Sequence, residues 1–264
     1  MTGSAVLSNV ADGVATITFA RPEAMNAIDL DTKIELLAAL SDAAEDTSVR
    51  CVVLAGTGRA FSVGQDLKEH IAGLRTLSPA QMWATVPEHY NPIALALHTM
   101  DKPVVAAVNG VAAGAGASLA FLADIRILAS SAGFNLAFAG IGLSCDTGCS
   151  WTLPRLVGPT RAIDLLFRPR TITADEALGL GIATEVVPDD EFAARVAAVA
   201  AALATGPTLA YASMRRAVGY AATHSLEESL AFEADLMALT GGSTDHRRAV
   251  EAFLAKRRPT FEGS

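Results

Sequence analysis

The chain has 264 residues, 51% hydrophobic and 18% charged, with a formal net charge of −8. That balance excludes a disordered chain and argues against a general nucleic-acid binder, which needs a basic face. Three cysteines are too few for a disulfide framework at this length, so a reducing cytoplasm is the simplest compartment. MTGSAVLSNVADG at the start has neither the basic nor the long apolar region of a secretory signal. Val6–Asn9 and Val14–Phe19 flank Ala11-Asp12-Gly13 and read as a hairpin. Leu30–Asp46 follows as a helix with Ile34, Leu37, Ala38 and Leu40 on its apolar stripe. Val52–Ala55 is a short buried strand, residues 59–69 a loop centred on Gly64, and residues 70–100 a polar, proline-marked helical excursion.

Pro103–Ala123 is free of charge and long enough to span a bilayer, but Asn109-Gly110 divides it. It therefore reads as a strand to Val108 and a buried helix from Gly114, followed by a strand at Ile125–Ala129, and no membrane association is expected. Alternating strands and helices predict an α/β core with largely parallel strands over 1–190. Residues 191–264 show helices only: Glu191–Leu203, Thr208–Ala222, Leu226–Leu239 and Asp245–Arg258, the third opened by a Ser225/Glu228 capping box. Short amphipathic helices at a chain end suit packing against another copy.

Familiar chemistries fail on spacing. Gly114-Ala115-Gly116-Ala117-Ser118-Leu119 lacks the third small residue of a dinucleotide fingerprint, and no acidic residue ends the next strand. There is no nucleophile elbow, and Cys145 and Cys149 lack two further ligands for zinc, so no metal is expected. Two glycine-marked turns remain, Phe61–Leu67 and Asn109–Gly116. Either alone reads as a tight turn. Two backbone N–H groups aimed at one oxygen would make an oxyanion hole.

Taken together, Arg21–Ala27 (RPEAMNA), Ala60–Glu69 (AFSVGQDLKE), Lys102–Asp124 and the closing Ala252–Arg258 (AFLAKRR) resemble the crotonase family of enoyl-CoA hydratases and isomerases over nearly the whole chain. Asn109 onward and Gly140–Gly158 are most similar to phenylacetyl-CoA ring-epoxide isomerases and to Δ3,Δ2-enoyl-CoA isomerases. The resemblance implies a ClpP/crotonase-like ββα superhelix, a helical trimerisation region, a homotrimer or dimer of trimers, and acyl-CoA substrates, with coenzyme A arriving as part of the substrate rather than as a cofactor. By position it implies oxyanion-hole amides at Gln65 and Ala115. It implies coenzyme A contacts at Ala24, Gly64, Gln65, Asp66, Leu67, Gly114 and Lys256.

The two glutamates that activate water in family hydratases are replaced by Ser118 and Phe138, so hydration is not expected. Asp146 stands where several family isomerases and a dehalogenase carry their working acid; read locally, it is equally an N-cap for a helix after Thr147. Lys256 matches a phosphate-approaching lysine or is a solvated tail cation, and Glu23 stands where several hydratases place a lysine.

Overall fold

The computed structural model describes residues 3–264. Its strands are β1 (Val6–Ala11), β2 (Val14–Phe19), β3 (Cys51–Gly56), β4 (Ala60–Ser62), β5 (Val104–Val108), β6 (Val111–Ala113), β7 (Ile125–Ala129), β8 (Gly133–Asn135), β9 (Thr171–Thr173) and β10 (Glu185–Val187). Its helices are α1 (Leu30–Glu45), α2 (Leu67–Thr76), α3 (Pro79–Trp83), α4 (Asn91–His98), α5 (Ala115–Phe121), α6 (Cys149–Val157), α7 (Pro159–Phe167), α8 (Ala174–Gly179), α9 (Phe192–Ala204), α10 (Thr208–Ala221), α11 (Leu226–Gly241) and α12 (Thr244–Leu254). The larger sheet has the order β1-β2-β3-β5-β7-β10 and the smaller β4-β6-β8-β9. Pairing is parallel except at β1–β2 and β8–β9.

The chain visits the large sheet, then the small sheet, then a helix: β3, β4, α2; β5, β6, α5; β7, β8, α6. This is a ββα spiral, the core that the resemblance implied. Its central strands are apolar on both faces because both faces are covered. Val52, Leu54, Val104, Ala106 and Leu128 pack inward, while Cys51, Val53, Val105, Ala107 and Ile127 alternate outward under Val196, Val199 and Leu203 of α9. The run Pro103–Ala123 divides among β5, β6 and α5, and among the described residues no single helix is long and apolar enough to cross a bilayer.

Three expectations are corrected and one is refined. Residues 59–69 are not one loop: Ala60–Ser62 pair with β6, and α2 starts at Leu67 behind the cap of Asp66. On α1 the buried stripe is Lys33, Leu36, Ala39, Leu40 and Ala43, one position off the expected face, leaving Ile34 53% exposed. Residues 70–100 are helical as expected, divided into α2, α3, a π-helical turn at Val86–Tyr90, and α4. The last helix stops at Leu254 rather than Arg258, because Lys256 turns left-handed (φ 53°) and the amides of Lys256 and Arg257 bond back to Phe253 and Ala252.

The far end of α1 is closed by a side chain from another element. Buried Lys102 donates from Nζ to the carbonyls of Ala43 (2.6 Å), Ala44 (3.0 Å) and Asp46 (2.7 Å). These are orphan acceptors at a helix C-terminus, where a cation is favoured. In α10–α12 and the residues around them, Val218, Leu226, Met237, Phe253 and Leu254 are all more than two-thirds exposed, at 75, 75, 71, 80 and 76%.

Candidate active site

The two glycine-marked turns meet. Gly64 has φ +81°, and a Cβ there would lie 2.8 Å from the Ala113 carbonyl oxygen and 3.0 Å from the Ala115 nitrogen. A Cβ on Gly116 would lie 2.3 Å from the Ser62 carbonyl oxygen, so the first turn of α5 rests directly on the backbone of β4. The neighbouring peptide groups are held. Gly64 O accepts from Ile28 N (2.8 Å), Asp66 N donates to Ile28 O (2.9 Å), and Gly114 N donates to Asn135 O (3.0 Å). Between these anchors, the amides of Gln65 and Ala115 donate to no acceptor among the described residues. Two donors on adjoining turns line one cavity.

That cavity is about 850 Å³, within the range of small-molecule sites. Apolar side chains dominate its walls: Val63, Leu67, Leu77, Met82, Trp83, Phe138 and Ile141. Its floor is the N-terminal end of α5, at Ala115, with the adjoining turns, and α2 and α3 line it as a roof.

Asp146 borders the same space. Its Oδ1 accepts from Thr147 Oγ1 at 3.0 Å. Burial pushes its carboxyl above the ordinary carboxylate range, outweighing the Thr147 hydroxyl and the charge of Lys33. The N-cap reading is corrected: α6 begins at Cys149 behind Gly148, with no side-chain cap. Thr147 and Gly148 are both left-handed (φ 53° and 77°), and Asp146 gives the helix only its backbone carbonyl, to Cys149 N at 2.9 Å.

The other expected positions separate into two groups. Leu67 and Gly114 line the cavity with Gln65, Ala115 and Asp146. Gly64 lies behind them. Asp66 caps α2, accepting from Lys68 N (2.8 Å), Glu69 N (3.2 Å) and Arg21 (3.0 Å). Burial would raise the Asp66 pKa, but these donors outweigh it and hold the carboxyl below its usual range. Ala24 and Lys256 are outside the cavity wall; Ala24 N already donates to Arg21 O (3.0 Å), and Lys256 is exposed in the turn after α12. Ser118 is buried and bonds to Gly114 O (3.2 Å), while Phe138 forms part of the wall. Cys149 is a buried packing residue whose thiol burial pushes up to about 12.

Sequence reasoning did not identify Lys33, Glu69 and Tyr90, which border the cavity beside Gln65. The available signal was Lys33 itself, a charge on the buried stripe of α1.

Residues 9–264 match the family model for enoyl-CoA hydratase/isomerase. The chain is 40% identical to 1,2-epoxyphenylacetyl-CoA isomerase of Escherichia coli (strain K12), over 98% of each chain. It is 32% identical to crotonyl-CoA hydratase of Syntrophomonas wolfei subsp. wolfei, over 94% of each. A solved Mycobacterium abscessus structure of enoyl-CoA hydratase/isomerase type superimposes with a TM-score of 0.95 at 45% identity, covering 98% of this chain and 100% of that one.

Proposed function

The chain belongs to the enoyl-CoA hydratase/isomerase family, and from that premise we propose that it is an acyl-CoA isomerase in which Gln65 and Ala115 hold the thioester oxygen and Asp146 carries the proton. The observation that supports this reading is two unengaged backbone donors and one burial-raised carboxylate facing a single apolar cavity. On a 3-enoyl-CoA, Asp146 removes a proton from the carbon next to the thioester. The electron pair moves onto the thioester oxygen, and the Gln65 and Ala115 amides stabilise the resulting enolate by about 3 kcal/mol per donor. Asp146 then returns its proton to the γ-carbon, and the double bond finishes conjugated to the carbonyl. A pKa raised by burial above the usual carboxylate range suits a group that must take and give a proton in one cycle.

Ser118 and Phe138 support isomerisation over hydration, since neither activates water and Phe138 fills cavity space. Crotonyl-CoA hydration is therefore expected well below ~10 s⁻¹, a typical enzymatic turnover. A rate at or above that value would make the protein a hydratase with rearranged acid/base groups. The deciding experiment is proton exchange and double-bond migration of a 3-enoyl-CoA in D₂O, run with Asp146→Asn alongside the natural protein. Stabilisation by acyl-CoA with no exchange in the natural protein would leave only a binding role. The exposed apolar residues of the C-terminal helices support association with further copies, which we take to be a homotrimer or dimer of trimers, cytoplasmic, with Lys256 reaching the coenzyme A phosphate of a neighbouring subunit. A monomer in light scattering at micromolar concentration would overturn that assembly.

A further inference from the structure

The side chain of Gln65 is fixed at both ends. Its Oε1 accepts from the Tyr90 hydroxyl at 2.8 Å, and its Nε2 donates to Glu69 Oε1 at 3.2 Å. Glu69 is in turn held by Lys33 Nζ on Oε1 (3.2 Å) and by Leu30 N on Oε2 (2.8 Å). Lys33 also donates to Thr85 Oγ1 (3.1 Å), and its ammonium sits 5.2 Å from the centre of the Tyr90 ring. The contacts therefore close on themselves: Lys33 to Glu69, Glu69 to Gln65, Gln65 to Tyr90, and Tyr90 back to Lys33. Lys33 and Tyr90 are each 1% exposed, so their side of the circuit is shielded from solvent and its contacts are strengthened, while Glu69 lies at the solvent edge with its side chain 40% exposed.

Its location gives the circuit a purpose beyond joining helices. The peptide plane between Gly64 and Gln65 is pinned at its carbonyl end by Ile28, but its N–H end must stay unbonded to receive a ligand. Gly64 offers little resistance to rotation of that plane. Clamping the Gln65 side chain resists the rotation from the other side. A buried lysine and a buried tyrosine hydroxyl in an otherwise apolar wall need a reason, since each carries a desolvation cost.

We propose that Lys33, Glu69 and Tyr90 are positioning residues that hold the Gln65 amide on the thioester oxygen by clamping the Gln65 side chain. This rests on the oxyanion-hole reading above. The test compares Tyr90→Phe and Glu69→Gln with the natural protein, using two readouts. One is kcat and KM for 3-enoyl-CoA exchange; the other is the red shift of bound 4-dimethylaminocinnamoyl-CoA, which reports how strongly the thioester carbonyl is polarised. The expected result is a ~10-fold lower kcat, less than loss of a whole donor, with KM within ~2-fold and a visibly smaller red shift. If Tyr90→Phe does not fold, Glu69→Gln decides, because it keeps the size and the acceptor while removing the charge that Lys33 faces. An unchanged red shift in a folded variant, whether or not kcat falls, overturns the clamp while leaving the oxyanion hole standing. No red shift in the natural protein overturns both.

Discussion

The floor and the roof of the cavity are built in opposite ways. Every residue of α5, from Ala115 to Phe121, is buried, whereas α2 and α3 bury none of theirs. The floor is set by backbone against backbone, at Gly116 on Ser62 and Gly64 on Ala113. The roof is a cover of half-exposed apolar side chains, with Leu67, Leu77 and Trp83 at 56, 45 and 37% exposure. A reaction needs donors placed within a fraction of an ångström, while an acyl chain needs only a surface that avoids water. The donors are thus mounted on the deeply buried part of the fold and the acyl surface on the exposed part.

Substitutions that separate the two regions test this contrast. The largest effect belongs to Asp146→Asn, which preserves shape but carries no proton. Exchange of a 3-enoyl-CoA should fall by ~10²-fold or more. The same variant should not melt below the natural protein at neutral pH. A carboxyl whose pKa is raised on folding weakens the fold as pH climbs from its unfolded value through its folded one, and asparagine removes that penalty. A clear drop in Tm would return Asp146 to a structural role.

Ala115→Pro comes next. It deletes one floor donor at the first position of α5, where proline is tolerated, so a ~10²-fold loss in kcat is expected from a protein that still folds. Wild-type turnover in the folded variant would remove Ala115 from the oxyanion hole. The pH profile gives a subtler discrimination. If Asp146 acts first as base, its acidic limb should lie above the usual carboxylate range, at the pH where the raised group protonates, and should vanish in Asp146→Asn. The smallest effect is reserved for the roof: Trp83→Ala should raise KM for long acyl chains by up to ~10-fold through lost apolar contact and leave kcat unaltered. A matching fall in kcat would mean that Trp83, and not only Glu69 of the roof, acts on the donors of the floor.

Legibility in the sequence followed the same divide. The floor was readable because backbone geometry leaves glycines behind, so Gly64, Gly114 and Gly116 marked both turns, and the apolar strands of the large sheet announced themselves by continuous runs. The roof was not, since its prolines and polar residues carry no single period, and short α3 lies between two breaks. The Lys33, Glu69, Gln65 and Tyr90 circuit joins positions up to 57 residues apart (90 minus 33), a proximity that only the spiral creates. The α1 stripe was misplaced because Ile34 and Ala38 look like core, while the buried position next to them is a lysine. Asp146 looked like a cap because nothing local announces that Thr147 would turn left-handed.

The Lys102 contact has a consequence in time as well as in structure. The last carbonyls of α1 receive their donor only when β5 docks, because Lys102 lies 59 positions beyond Ala43. Nucleation of α1 from its Asp29 end can proceed locally, but its final turn waits for a long chain closure and therefore belongs to a later cooperative unit than its first. Amide protons in the two ends of this one helix should exchange with solvent through different openings, the first governed by local fraying and the last by departure of a strand from the middle of the sheet.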